Sequence, residues 1–149
     1  MPLTDTINQT LNDAVKAKDL SLATTLRTVK SALQNAAIDN RGELNDKQVI
    51  EVLQKEARKR REAIKLYEQS GRSELTAQER KELKVIEQYL PPPMSAAEVE
   101  KVVAKAISEV GATNMSGMGA VMKKVAELNK GRIDGGEAAR LVREKLGKN

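Results

Sequence analysis

The chain has 149 residues, enough for one domain or two small ones, and carries a formal charge of +5 from 26 basic and 21 acidic side chains. It contains no cysteine and no histidine, which removes disulfides, thiolate nucleophiles, imidazole bases and the usual zinc ligands. Tyr67 and Tyr89 are its only aromatic residues, so base-stacking platforms are nearly excluded and the core must be aliphatic.

The opening "MPLTDTINQT" lacks the basic region and long apolar stretch of a signal peptide. No later run approaches the roughly 20 apolar residues that span a bilayer. The expectation is a soluble, cytoplasmic protein with no membrane partner. Apolar residues recur at helical spacing almost throughout, without sustained strand-like alternation. Leu3, Ile7, Leu11 and Val15 predict a first helix, capped by Thr4. Leu22, Leu26, Val29, Leu33 and Ala37 predict a second, begun near Asp19 or Ser21 and ended before "NRGELN".

A third, longer helix starts at Asn45 or Asp46 and follows Ile50, Leu53, Ala57, Ile64 and Tyr67 to a stop at Gly71. "SELTAQERKELKVIEQYL" gives a fourth, with Leu83, Ile86 and Leu90 facing inward. Pro91, Pro92 and Pro93 cannot continue a helix and favour a stiff extended connector. Beyond them, Ser95 and Glu98 form a capping-box pattern ahead of Val99, Val102, Val103 and Ile107, and Gly111 ends this fifth helix. "NMSGMGAVMKKVAEL" supplies a sixth helix, and Asp134 to Leu146 a seventh. The predicted fold is all-α: a four-helix domain over 1–90, a proline hinge over 91–94 and a three-helix tail domain over 95–149.

Charge is uneven along this frame. Residues 1–90 have a net charge of +2, whereas the short stretch 112–149 has +4, so the tail is the better place for a field that attracts polyanions. In the third helix Arg58, Arg61 and Lys65 form a stripe at three- and four-residue steps. It reads either as a phosphate-tracking face or as a solvated surface balanced by Glu51, Glu56 and Glu62. Arg60 falls near the mean direction of the apolar residues, and the expectation is that its stem lies on apolar surface while its guanidinium reaches water. Gly117 and Gly119, among Met115, Met118 and Met122, read as a phosphate-approach site or as core packing. Neither GxGxxG nor GxxxxGK[ST] is present. No nucleophile–base pattern is recognisable, so no catalytic residue, metal site or cofactor is expected.

"NKGRIDGGEAARLVREKL" raises a question of its own. Lys130 and Arg132 flank Gly131, Asp134 is placed to cap, and Gly135 and Gly136 occupy the first helical turn, where each glycine costs up to about 1 kcal/mol against alanine. Either backbone approaches phosphate there, or two helices pack closely.

Four stretches in order, "LRTVKSALQNAAID", "VIEVLQKEARKRREAIKLYEQSGRSEL", "LKVIEQYLPPPMS" and "GMGAVMKKV…KGRIDGGEAARLVREKL", together resemble the GatB/YqeY family, in its free-standing YqeY-like branch. The resemblance implies similarity to the C-terminal tail of GatB, a subunit of the glutamine-dependent aspartyl/glutamyl-tRNA amidotransferase, where a helical module helps grip tRNA. The family's association with carbon–nitrogen ligases using glutamine as amido-N donor describes the enzyme around that module, and no autonomous activity is implied for this chain. By similarity, tRNA is the expected partner, with contacts from Lys123, Lys124, Lys130 and Arg132; the charge of the tail adds Arg140 and Arg143, and the stripe of Arg58, Arg61 and Lys65 adds a second surface. The rival is a helical adaptor that docks on a tRNA-handling enzyme. The oligomeric state is left open.

Overall fold

The computed structural model describes residues 2–129, 132, 133 and 135–147. Among them are seven α-helices and no strand, in two compact units, Met1–Leu90 and Pro91–Asn149. In the first unit α1 (Leu3–Lys16), α2 (Leu20–Asn40), α3 (Asp46–Gln69) and α4 (Ser73–Glu87) enclose an aliphatic core. Leu26, Val49, Leu53 and Ile86 are fully buried there.

Helix starts follow local chemistry. The Asp19 carboxylate accepts the Leu22 N–H at 3.2 Å. Asn45 and Gln48 close a reciprocal capping box at 2.8 and 2.9 Å, which satisfies two orphan donors at once. Gly71, at φ +70°, ends the α3 segment in the left-handed conformation that glycine tolerates. Arg41 does the same after α2 at φ 57°.

Two details of the first helix differ from the sequence reading. Thr4 does not cap α1: Pro2 is the capping residue and Thr4 is already inside the first turn, whereas a cap needs non-helical backbone. The Leu3 N–H donates instead to Asp46 Oδ1 at 3.0 Å, a partner at the head of α3. Val15 is 47% exposed, and Ala14 takes the inward place after Ile7 and Leu11.

The second unit comprises α5 (Ala96–Val110), a 3₁₀ turn (Met115–Gly117), α6 (Met118–Asn129) and α7 (Gly135–Leu146). Val99, Val103, Val121, Val125, Val142 and Leu146 form its core, and Met118 and Met122 pack against it. Ser95 accepts the Glu98 N–H at 3.2 Å, but the Glu98 carboxylate does not complete the expected box. It pairs with Arg132, 3.3 Å away, because a guanidinium is a stronger partner for a carboxylate than a backbone amide. The tri-proline stretch is bonded into this unit: Arg132 Nε donates to the Pro92 carbonyl at 2.9 Å, and the Met94 N–H donates to the Arg132 carbonyl at 3.1 Å.

Candidate nucleic-acid interface

On α7, Ala138, Val142 and Leu146 recur every four residues and face the core. Arg140 and Arg143 lie off that line and are exposed. On α6, Val121 and Val125 face inward. Lys123 sits about 200° from each of them at helical spacing and is exposed, while Lys124 is turned to the flank and half-buried. The helical period therefore sorts the tail cations into outward and lateral ones.

Their partners sort them further. Lys124 Nζ lies 3.1 Å from Glu109 on α5 and 3.7 Å from Glu127 on its own helix. The Glu109 hydrogen bond and charge, followed by Glu127, hold its ammonium above the usual lysine pKa. Arg132 is engaged by Pro92 and Glu98. Arg140 meets Glu144 at 3.5 Å in a solvated pair of α7, an arrangement of little intrinsic worth and easily exchanged. The side chains of Lys123 and Arg143 form no hydrogen bond or ion pair with another described residue. Lys130, Gly131 and Asp134 lie outside the described residues.

The glycines divide as well. A Cβ on Gly117 would stand 2.6 Å from the Cβ of Ala112, so this glycine is needed for the 3₁₀ turn to lie against the chain leaving α5. Gly119 and Gly135 face open space, and Gly136 is half-buried in the first turn of α7. Close helix packing therefore does not account for Gly135.

The stripe on α3 is less available than its spacing suggests. Arg58 is half-buried and has an interaction partner. Arg61 lies 3.8 Å from Glu87 on α4, and Lys65 alone of the three is exposed without a described partner. Between them runs Arg60, only 8% exposed. Its guanidinium binds the Glu56 carboxylate and the Glu56 carbonyl, the latter at 3.2 Å, and its Nε lies 3.8 Å from Glu82 on α4. The expectation of a guanidinium in water is thus overturned: α4 closes over the stem, and two carboxylates neutralise the charge that cannot leave.

No helix among the described residues is long and apolar enough to cross a membrane, and no group of three or more acidic residues could hold a metal ion.

A family model described as Yqey-like protein matches residues 4–146. Among curated proteins, the chain is 29% identical over 113 residues to the protein of Lachancea thermotolerans named "Altered inheritance of mitochondria protein 41, mitochondrial", covering 74% of this chain and 60% of that one. A protein of the same name from Eremothecium gossypii is 30% identical, over 67% of this chain and 55% of that one. An uncharacterized protein of Schizosaccharomyces pombe is 28% identical, over 57% and 69% respectively. The chain thus spans little more than half the length of the two longer relatives, whose names place them in mitochondria and not in the cytoplasm expected above.

Proposed function

The chain belongs to the YqeY-like family, and on that footing we propose that it is a non-catalytic helical module that binds tRNA through the outward cations of its second unit. The observation that carries this reading is the pair of exposed side chains Lys123 and Arg143, which meet no carboxylate among the described residues, on adjacent helices α6 and α7. Arg140 joins them by exchanging Glu144 for phosphate. Such contacts give affinity through counterion release and position a shape-recognising protein on the RNA. The sequence resemblance to the tail of GatB supports the choice of tRNA over other polyanions.

The adaptor reading requires a broad apolar surface on the tail helices. Among the described residues of this unit, the exposed large apolar side chains are Val110 and Met115, which favours the RNA reading.

The test is equilibrium binding to bulk tRNA and to duplex DNA of similar length across a salt series. Preferential tRNA binding is expected, and the double variant K123A/R143A should weaken it and flatten the salt dependence by up to about one unit of slope per lost contact. Arg132→Ala is a poor probe, because it also releases Pro92 and Glu98. Equal, salt-labile binding to both polyanions, or a double variant indistinguishable from the parent, overturns the proposal and leaves the protein adaptor.

A further inference from the structure

The first unit contains a groove of about 380 Å³ between the start of α1, the middle of α2 and the loop leading to α3. Its apolar lining is Pro2, Leu33, Ala37 and Leu44; Leu33 belongs to the core and Leu44 packs against it. Its polar lining is Thr4, Asp5, Asn8, Lys30, Gln34 and Glu43. None of these six side chains forms a hydrogen bond or ion pair with another described residue.

Some neighbouring polar groups are engaged. On the same two helices the hydroxyls of Thr6, Thr10, Thr24, Thr25 and Thr28 all donate to backbone carbonyls. Beside the loop, Asn40 bonds Gln48, and Asp46 holds the Leu3 N–H. Thr4, Asn8 and Lys30 in the groove are half-buried without such a partner.

The charges also have an order. Lys30 shares the groove with Asp5 and Glu43, yet no ammonium–carboxylate distance falls within 4.0 Å. Opposite charges held apart in one concavity leave room for a molecule that carries both. A simple anion would meet two repelling carboxylates, and a simple cation would meet the ammonium. RNA phosphate is disfavoured for the same reason as any anion, so this groove is separate from the interface on α6 and α7.

We infer that the groove is a binding site for a free aliphatic α-amino acid. The ligand's carboxylate pairs with Lys30 and its ammonium with Asp5 or Glu43. The Asn8 and Gln34 carboxamides, each both donor and acceptor, serve either end. The aliphatic side chain lies on Leu33, Ala37 and Leu44. The volume falls toward the lower end of small-molecule sites, about 300–1,000 Å³, and admits an amino acid with room to spare.

The experiment is an amide-resolved NMR titration of the 149-residue chain with L-leucine, N-acetyl-leucine and leucine amide. Leucine should give saturable shifts at Asn8, Lys30 and Gln34 with Kd near or below about 1 mM, and each blocked form should bind at least about tenfold more weakly. Lys30→Met keeps the apolar stem and removes the charge, and Asp5→Asn is the second variant should the first perturb the fold. Either is expected to weaken leucine binding about tenfold while leaving the spectrum of the second unit unchanged. Three results overturn the inference: no saturable shift with leucine, blocked forms that bind as well as leucine, or folded variants that bind it unchanged.

Discussion

Arg60 and Glu56 face each other one helical turn apart on α3, where water is scarce. Removing one partner of such a buried pair leaves an uncompensated charge and costs about 3–5 kcal/mol. Arg60→Met should fall at the lower end, because Lys59 stays within 3.5 Å of Glu56. The double variant R60M/E56Q should recover most of the loss, and urea midpoints measure both. Beside this pair, burial and then the neighbouring Glu82 charge raise the Glu79 pKa above its usual value, against the pull of Arg60. The folded chain therefore binds that proton more tightly than the unfolded chain does. The contribution of Glu79 to stability falls as pH rises from the ordinary glutamate range through the raised value. Glu79→Gln should thus be more stable than the parent at neutral pH and lose that advantage in acid. A pH series of denaturant midpoints in which the parent gains no relative stability on acidification would contradict this.

At the scale of elements, the glycines give the sharpest contrast. Gly117→Ala sets two Cβ atoms 2.6 Å apart, and overpacking of this kind costs about 1–3 kcal/mol. Ala112→Gly in the same chain should relieve it. Gly135→Ala meets open space and should leave stability unchanged or raise it by up to about 1 kcal/mol. If that variant nevertheless binds tRNA more weakly, the opening of α7 approaches phosphate through its backbone; unchanged binding would leave Gly135 as a turn residue only. Elements were legible in the sequence where their determinants are local. Asp19, Asn45 and Ser95 cap the helices that follow them, and Gly71 and Gly111 close the ones before. The misreadings share a different cause. Thr4 was displaced by a donor–acceptor pair 43 residues apart, Leu3 with Asp46. Arg60 is covered by α4, and Glu98 is drawn off by Arg132, 34 residues away. No periodicity contains such pairings.

For the whole molecule, composition was informative about class and uninformative about sites. An aliphatic chain without cysteine or histidine folds as helices around two separate aliphatic cores. The excess of cations in the tail is visible in the sequence. Which of those cations stay available is less so, because Glu109 and Glu98 become partners only once the chain is folded. The groove on α1 and α2 escaped sequence reading for the same reason, since residues from 2 to 44 converge on it without any spacing signal. The Arg132 bonds to Pro92 and Met94 also bear on where this chain can be cut. A boundary drawn from helices falls at residue 95, immediately before α5. A fragment 95–149 forfeits the Pro92 acceptor and the Met94 donor and leaves Arg132, among the described residues, with Glu98. A fragment 91–149 keeps all three, and it should melt at a higher temperature and express as the better-behaved tail. In this protein the prolines that look like spacer are part of what they precede.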